Sequence, residues 1–231
     1  MNICVIPARG GSKRIPRKNI RYFHGKPIIA WSIEAAIKSE CFDRIICSTD
    51  DEEIAKVARK YGAETPFLRP ASLSDDYTTT APVIAHTIEH LLQKDNAIDL
   101  VCCIYATAPF VQPNDIRQSL EVIKINNVDY CFSVARYPFP IQRAIRITKE
   151  GRCEMFQPEM FKRRSQDLEE ACHDVGQFYW GKADAWLENR DLFSDKSSLY
   201  ILPRYNVQDI DTEEDWTRAE LMYSTLLLNN L

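Results

Sequence analysis

The chain has 231 residues, of which 45% are hydrophobic and 27% charged, and its formal net charge is −4. This composition is typical of a soluble globular protein with one sizeable core, and no apolar stretch is long enough to span a membrane. An acidic chain also argues against general nucleic-acid binding, because that function usually spreads positive charge over a whole face.

Strand-like and helix-like segments alternate along the chain. Met1 leads directly into the first strand without a secretory leader, so we expect a cytoplasmic protein with no membrane partner. Runs rich in β-branched and apolar residues predict strands at 2–7, 44–48, 100–105 and 129–135. Apolar residues at helical spacing predict helices around 29–37, 54–61, 84–91, 116–123 and 216–226. This order predicts a three-layer α/β fold whose mostly parallel sheet carries helices on both faces.

These patterns break down over residues 137–172. Prolines and mixed charge surround short apolar groups there, and the sequence KEGR is typical of a hairpin turn. We interpret residues 1–231 as a single domain and residues 137–172 as an insertion within it.

Cysteine usage favours a reducing environment. Eight cysteines occur without any C-x-x-C pair, the spacing of many zinc and redox sites. Five lie in strand-like apolar runs: Cys4, Cys47, Cys102, Cys103 and Cys131. We therefore predict reduced thiols in the core rather than disulfides.

A strongly basic segment follows the first predicted strand. Residues 9–21, here called the basic loop, contain six Lys and Arg residues, no acidic residue and the sequence Gly10-Gly11-Ser12. Ligands of open α/β sheets bind beyond the carboxyl ends of the strands. Glycine backbone N–H groups and nearby cations there suit a small polyphosphate, although a solvated basic turn is the alternative. Neither the P-loop nor the dinucleotide-binding glycine pattern is present.

Two carboxylates near the carboxyl terminus form a candidate metal site. Asp209 and Asp211 flank Ile210, and this spacing turns both carboxylates to the same side of an extended chain. Paired carboxylates hold Mg²⁺ against substrate phosphates in many enzymes. Capping of the following helix by Asp211 or Thr212 is the structural alternative, but it does not account for Asp209.

Two further polar segments lie at predicted strand-to-helix junctions. The sequence STDDEEIA, at 48–55, has capping-box spacing from Thr49 to Glu52 and from Asp50 to Glu53, so we interpret it as a helix cap. The sequence LRPASLSDDYTTT, at 68–80, either contacts a ligand or caps the next helix.

A competing hypothesis is a zinc hydrolase. His86, Glu89 and His90 match the H-x-x-E-H pattern, which places two histidines on one helix face. The pattern is short, and no third ligand is evident downstream. It also leaves the basic loop and the two aspartates without a role.

Six segments together resemble the cytidylyltransferases that activate nonulosonic acids as CMP-sugars, the CMP-sialic acid synthetase family. The segments are IPARGGSKRIPRKN, GKPIIAWSI, STDDEEIA, RPASLSDD, HDVGQFYWG and DIDTEEDW. The resemblance extends from Ile3 to about Ala219. It implies a Rossmann-like nucleotidyltransferase fold and a Mg²⁺-dependent reaction in which CTP and a sugar acid give a CMP-sugar and pyrophosphate.

The resemblance also implies residue roles. Nucleotide contacts would come from Arg9, Gly10, Gly11, Ser12, Lys13, Lys18, Asn19, Arg69, Thr79 and Thr80. Asn19 and Arg69 would lie at the cytosine end, and Asp209 and Asp211 would hold the metal. The catalytic residues would be Arg9, Lys13, Lys18 and Asp211.

One segment separates this chain from the sialic acid branch. Tyr105 begins YATAP where that branch commonly has QPTSP, and this exchange, with GQFYWG at 176–181, resembles the pseudaminic acid branch. Tyr105, Gln177 and Tyr179 are the candidate sugar contacts.

Legionaminic, N-acetylneuraminic and 3-deoxy-octulosonic acids are alternative substrates, and a catalytically silent nucleotide-binding module is an alternative of another class. The insertion matches the segment through which relatives form homodimers.

Overall fold

The structure is a computed structural model that describes residues 1–93 and 97–229. Its strands are β1 (Asn2–Pro7), β2 (Tyr22–Phe23), β3 (Lys26–Pro27), β4 (Arg44–Ser48), β5 (Leu100–Ile104), β6 (Tyr130–Arg136), β7 (Ile145–Ile147), β8 (Cys153–Met155), β9 (Cys172–Lys182) and β10 (Ser197–Ile201). Its α-helices are α1 (Ile28–Ser39), α2 (Glu52–Lys60), α3 (Thr80–Leu92), α4 (Pro113–Asn126), α5 (Ala183–Leu187) and α6 (Glu213–Asn229).

The central sheet has six strands in the order β10-β6-β9-β5-β1-β4. β9 runs antiparallel to both of its neighbours, and the remaining neighbouring pairs are parallel. The carboxyl ends of β1, β4 and β5 therefore meet at one edge of the sheet, where α/β proteins bind their ligands. The predicted mostly parallel α/β fold is confirmed.

Helices cover both faces of this sheet. One apolar cluster joins the sheet to α1, α2 and α4, and a second joins the opposite face to α3 and α5. Within β1, Cys4 and Ile6 belong to the first cluster, whereas Ile3 and Val5 belong to the second. This alternation follows from the two-residue period of a strand, and it explains why the segment is apolar throughout.

A third apolar cluster brings the basic loop and the paired aspartates together. Its fully or almost fully buried residues include Ile15 of the basic loop, Ile210 between the paired aspartates, and Trp216 of α6. Burial of each such side chain contributes about 1.5–3 kcal/mol, so α6 holds both segments firmly against the end of the sheet. Two stretches almost 200 residues apart in sequence, Lys18 and Asp211, thereby become neighbours, with 3.5 Å between ammonium and carboxylate.

All of the predicted strands and helices form, and the structure adds others. Predicted strands 2–7 and 44–48 coincide with β1 and β4, predicted strands 100–105 and 129–135 differ from β5 and β6 by no more than one residue at either end, and all five predicted helices form. In contrast, β2, β3, β9, β10 and α5 have no counterpart among the predicted elements. None of the helices in the described ranges combines the length and hydrophobicity needed to cross a membrane.

Residues between β6 and β9 lie outside the central sheet. β7 and β8 form a separate antiparallel pair, and the turn between them contains Gly151 with a φ of 74°. This confirms the hairpin turn predicted from KEGR. β9 begins at Cys172, so the last residue of the predicted insertion belongs to the central sheet.

Candidate active site

A large cleft of about 560 Å³ opens where the loops that follow β1 and β5 meet. Ten residues predicted individually from the sequence line it: Arg9, Ser12, Lys13, Lys18, Asn19, Arg69, Thr79, Thr80, Tyr105 and Asp211. Arg14, Asp75, Asp76 and Thr78 also line it, and none of these four was predicted individually as a site residue. Gly10, Gly11, Asp209, Gln177 and Tyr179 are not among its lining residues.

The cations of the basic loop divide into two groups. Four of them line the cleft: Arg9, Lys13, Arg14 and Lys18. Arg17 instead pairs with Asp51 and Glu53 of the α2 start, and Arg21 pairs with Glu213 at 2.7 Å and lies over the Trp216 ring. These two arginines therefore attach the loop to α2 and α6, and the charge offered to a ligand is smaller than the sequence suggests.

Gly10 of the basic loop packs closely against the start of α2. The Gly10 N–H donates to Asp50 Oδ1 at 2.8 Å, and a Cβ on Gly10 would lie 2.8 Å from Asp51 Oδ2. The Gly11 position is open, with no atom within 4 Å of an added Cβ. Gly10 thus lets the loop approach the start of α2 closely.

The residue that caps α2 is not one of the two predicted from the sequence. The residue that caps the helix is Asp51, whose Oδ1 accepts from the Glu53 and Ile54 N–H groups at 2.9 and 3.0 Å. The Arg17 guanidinium, with these N–H groups, lowers the pKa of Asp51. Neither Thr49 nor Asp50 is the capping residue, and the Asp50 carboxylate is free to hold Gly10.

Arg69 and Asn19 are buried polar residues at the cleft wall. Asn19 Nδ2 donates to the Arg9 carbonyl at 2.9 Å, which shapes the basic loop. The Arg69 side chain is only 4% exposed, and its nearest carboxylate, Asp50, is 3.9 Å away. Its Nε and Nη2 have no hydrogen-bond partner, and burial lowers its pKa. Buried donors without partners favour binding of a ligand with acceptor atoms.

Acidic side chains form ion pairs with the cations of the cleft. Asp76 pairs with Arg9 at 2.9 Å and with Lys13, and the hydrogen bond from Lys13 is the main cause of its lowered pKa. Asp211 lies 2.9 Å from Arg14 and 3.5 Å from Lys18. An anionic ligand entering the cleft must compete with these carboxylates.

Asp209 and Asp211 flank a buried residue, and of the two only Asp211 lines the cleft. Between them Ile210 is fully buried, as the alternation predicts, and its carbonyl accepts from Lys18 Nζ at 2.6 Å. The reduced access of water raises the pKa of Asp209, and the charge of Asp211 raises it further. Two like charges at this spacing favour a bound cation.

The capping alternative is confirmed for Thr212, whose partner in the cap is Asp215. The Thr212 hydroxyl accepts from the Asp215 N–H at 3.2 Å, and Asp215 Oδ2 accepts from the Thr212 N–H at 2.8 Å. This reciprocal pair caps α6 and lowers the pKa of Asp215. The carboxylates of Asp209 and Asp211 are not needed for the cap.

A second cavity of about 310 Å³ adjoins the cleft and shares Thr79, Thr80 and Tyr105 with it. The Tyr105 hydroxyl lies 3.0 Å from Thr80 Oγ1, and Tyr179 also lines this cavity. Gln177, the third predicted sugar contact, lines neither cavity. It is 2% exposed and donates through Nε2 to the Asn206 carbonyl, while its Oε1 has no partner.

The histidines of the zinc hypothesis pack against an aromatic ring. The His86 and His90 rings lie 5.0 and 4.6 Å from the Phe67 ring, and burial lowers the pKa of His86. Within residues 1–93 and 97–229, no three His, Cys, Asp or Glu side chains are grouped to hold a metal ion. The geometry therefore does not support a zinc hydrolase.

Comparisons with known proteins agree with the resemblance found in the sequence. A family model described as cytidylyltransferase matches residues 3–167. The pseudaminic acid cytidylyltransferase of Campylobacter jejuni is 48% identical over 222 residues, which cover 96% of both chains. The CMP-N,N'-diacetyllegionaminic acid synthase of Legionella pneumophila is 35% identical and covers 94% of both.

A solved structure gives the corresponding result for the fold. CMP:2-keto-3-deoxy-manno-octonic acid synthetase, complexed with CTP, matches with a TM-score of 0.69 over 97% of this chain and 98% of that chain. At 16% identity this likeness concerns the fold alone. From the family match and the two relatives, the chain belongs to the cytidylyltransferase family of nucleotidyltransferases.

Proposed function

We propose that this protein transfers CMP from CTP to the anomeric hydroxyl of a nonulosonic acid, pseudaminic acid in particular, and releases pyrophosphate. One observation carries the proposal: a single cleft combines the buried Arg69, whose Nε and Nη2 have no hydrogen-bond partner, with four cations of the basic loop and the carboxylate of Asp211. The choice of pseudaminic acid is supported by the 48% identical relative named for that substrate.

The cytosine end of CTP binds at Arg69 and Asn19. Cytosine carries acceptor atoms on its ring, and the free Nε and Nη2 donors of Arg69 supply complementary hydrogen bonds. Because these donors are already desolvated, pairing them with the base costs little further desolvation and leaves no buried polar atom unpaired. Thr79 and Thr80, at the start of α3, border the same space and contact the nucleotide.

The triphosphate binds along Arg9, Ser12, Lys13 and Lys18. Phosphate oxygens replace the Asp76 carboxylate on Arg9 and Lys13, and charge-assisted hydrogen bonds of this kind are the strong ones. Attack by the sugar hydroxyl on the α-phosphorus places negative charge on the departing pyrophosphate. Arg9, Lys13 and Lys18 stabilise that charge.

Asp209 and Asp211 would hold Mg²⁺, since their two carboxylates supply the oxygen ligands that this ion prefers and substrate phosphates supply others. When bound, the ion polarises the α-phosphate and favours ionisation of the sugar hydroxyl. Lys18 bonds the Ile210 carbonyl between the two aspartates, so it fixes the position of both carboxylates. Tyr105 and Tyr179 contact the sugar acid, and Gln177 supports the wall through the Tyr105 N–H, which donates to its carbonyl at 2.9 Å.

The assembly and location that we propose are a homodimer in the cytoplasm. The segment between β6 and β9 exposes an unusual number of large apolar side chains, which a partner subunit would cover. They are Tyr137, Phe139, Ile141, Ile145, Ile147, Phe156 and Phe161. All eight cysteines are free, which suits a reducing compartment where CTP is available.

The test is incubation of the protein with CTP, Mg²⁺ and single sugar acids, read by pyrophosphate release and by the mass of the CMP-sugar. We expect CMP-pseudaminic acid as the main product. If legionaminic, N-acetylneuraminic or 3-deoxy-octulosonic acid alone gave a product, the reaction would stand but the substrate would be that acid instead of pseudaminic acid. Binding of CTP without release of pyrophosphate from any acid would contradict the proposal and favour a nucleotide-binding module.

A further inference from the structure

A bulge in β9 brings together two residues that a regular strand would separate. Tyr179 pairs with Phe132 of β6, whereas Asp174 pairs with Val134, so β9 carries extra residues between them. In a regular strand, residues at this odd separation point to opposite faces, at a rise of about 3.3 Å per residue. Nevertheless, the Tyr179 hydroxyl donates to the Asp174 carboxylate, whose two oxygens each lie 2.7 Å away.

The backbone around the bulge is built to keep this contact. The Ser133 hydroxyl donates to the Phe178 carbonyl and accepts from the Phe178 N–H, both at 3.1 Å. Gly176 adopts a left-handed φ of 60°, and its N–H donates to Asp174 Oδ1 at 3.0 Å. Bulges that redirect a side chain in this way are common beside active sites.

The contact continues into the wall that separates the two cavities. The rings of Tyr179 and Tyr105 are 5.4 Å apart, and the Tyr105 hydroxyl lies 3.0 Å from Thr80 Oγ1. Tyr105 and Thr80 line both the cleft and the second cavity. Asp174 is therefore one end of a series of side-chain contacts that reaches the nucleotide cleft.

The second cavity is acidic and aromatic. Asp174 and Asp191 line it together with Tyr130 and Trp186. Its one lining cation, Arg190, lies within 3.2 Å of three carboxylates: Asp129, Asp184 and Glu188. An ionised carboxylate only accepts hydrogen bonds, so this cavity favours neutral N–H or O–H donors and disfavours an anion.

We infer that Asp174 is a positioning residue that determines sugar specificity. It holds Tyr179, and through it Tyr105, against the bound sugar acid, and its carboxylate faces the acylamino N–H groups of that acid. The carboxylate of the sugar acid then points away from this cavity, toward the cations of the cleft. This inference rests on the proposed function, because it requires that a nonulosonic acid occupies the second cavity.

The experiment compares wild type with Asp174→Ala, Asp174→Asn, Tyr179→Phe and the double variant Asp174→Ala/Tyr179→Phe. Initial rates with CTP and pseudaminic acid give a separate KM for each substrate, and thermal shifts with CTP give nucleotide binding. Asp195→Asn is the matched control, because Asp195 is exposed and lines neither cavity. Asp174→Asn keeps an oxygen that accepts from Tyr179, so it separates loss of the contact from loss of the charge.

We expect Asp174→Ala to raise the KM for pseudaminic acid about tenfold or more, with the KM for CTP within about twofold of wild type. Asp174→Asn should recover part of the loss, and the double variant should be no worse than Asp174→Ala, because both changes remove the same contact. An unchanged KM for the sugar acid, or equal changes in both KM values, would overturn the inference alone. A wild-type protein that uses no sugar acid would overturn the proposed function and the inference with it.

Discussion

Asp76 lies 2.9 Å from the Arg9 guanidinium and also pairs with Lys13, so one carboxylate neutralises two of the cations that line the cleft. Asp75 joins the same contact through its carbonyl, which accepts from Arg9. In a chain with a net charge of −4, these internal carboxylates keep the free basic loop from being an open patch of positive charge. Binding of a triphosphate exchanges one set of anions for another.

Removal of this competing anion should strengthen nucleotide binding. We expect Asp76→Asn to lower the Kd for CTP about two- to fivefold, the modest effect of an exposed ion pair. Isothermal titration at low ionic strength measures the change, and added salt should reduce it. Asp195→Asn, which alters charge equally outside the cleft, should leave the Kd unchanged. Weaker CTP binding by Asp76→Asn would mean that Asp76 assists the ligand instead.

Arg69 offers a test of the cytosine end. Arg69→Met removes two buried donors without partners, so CTP binding should weaken by about 1.5–3 kcal/mol, which is a rise in Kd of roughly tenfold to a hundredfold. The melting temperature without CTP should stay equal or rise, because the substitution replaces a buried charge by an apolar side chain of similar length. Lys56→Met, on the exposed face of α2, is the control. Loss of stability without loss of CTP binding would make Arg69 a purely structural residue.

The paired aspartates should affect turnover far more than folding. Asp209→Asn and Asp211→Asn keep side-chain size but remove a metal-binding anion, so kcat should fall by orders of magnitude in each, and at least as much for Asp211. Circular dichroism should show an intact fold. Near-normal kcat in both variants at saturating CTP and Mg²⁺ would remove the two residues from the mechanism.

The raised pKa of Asp209 predicts the sign of its contribution to the pH dependence of stability. The folded protein binds this proton more tightly than the unfolded chain, so its contribution to stability falls as the pH rises through the raised pKa. Asp209→Asn should therefore melt at the same or a higher temperature than wild type at pH 7 without Mg²⁺. Binding of CTP and Mg²⁺ should reverse that order.

Two residues of the basic loop should differ in their kinetic effects. Lys18→Ala should lower kcat more than it weakens CTP binding, because in the proposed reaction Lys18 meets charge that develops on the leaving pyrophosphate. Arg9→Ala should affect both. Each loss is expected to be about 1.5–3 kcal/mol, or roughly tenfold to a hundredfold. Wild-type kinetics in both variants would mean that the basic loop is only a solvated turn without a role in the reaction.

Tyr105 should control the choice of sugar acid. Its ring faces Tyr179 in the second cavity, a surface suited to the terminal methyl of a 9-deoxy sugar such as pseudaminic acid rather than to the hydroxylated side chain of neuraminic acid. Tyr105→Gln should lower kcat/KM for pseudaminic acid more than for N-acetylneuraminic acid. An unchanged ratio of the two values would remove Tyr105 from specificity.

Local patterns accounted for the elements that pack by simple periodicity. β1 and β4 are buried parallel strands, and the helices repeat apolar residues every three or four positions, so each is visible in a short window of sequence. β9 is not visible in this way, because a long antiparallel strand inserted between two parallel ones is defined by pairings with residues 36–82 positions away. Its bulge hides the strand pattern further, and Asp174 could not be linked to Tyr179 without it.

Some predicted site residues, Arg69, Lys18 and Asp211, do line one cleft, and their roles there stay predictions. The Gly10 N–H donates to Asp50, a contact that no local sequence pattern indicates. Asp76 was missed because its partners are on the basic loop, more than sixty residues earlier, and only the fold brings them together.

The most direct measurement is a competition in one tube. Limiting CTP with Mg²⁺ is supplied to the wild-type protein with equal concentrations of pseudaminic, legionaminic, N-acetylneuraminic and 3-deoxy-octulosonic acids, and the CMP-sugars are separated by mass. Because the acids compete for the same enzyme, the product ratio equals the ratio of their kcat/KM values. We predict that CMP-pseudaminic acid dominates the products and that their sum matches the pyrophosphate released. A mixture dominated by another CMP-sugar would contradict the proposed substrate, and consumption of CTP without formation of any CMP-sugar would contradict the proposed reaction itself.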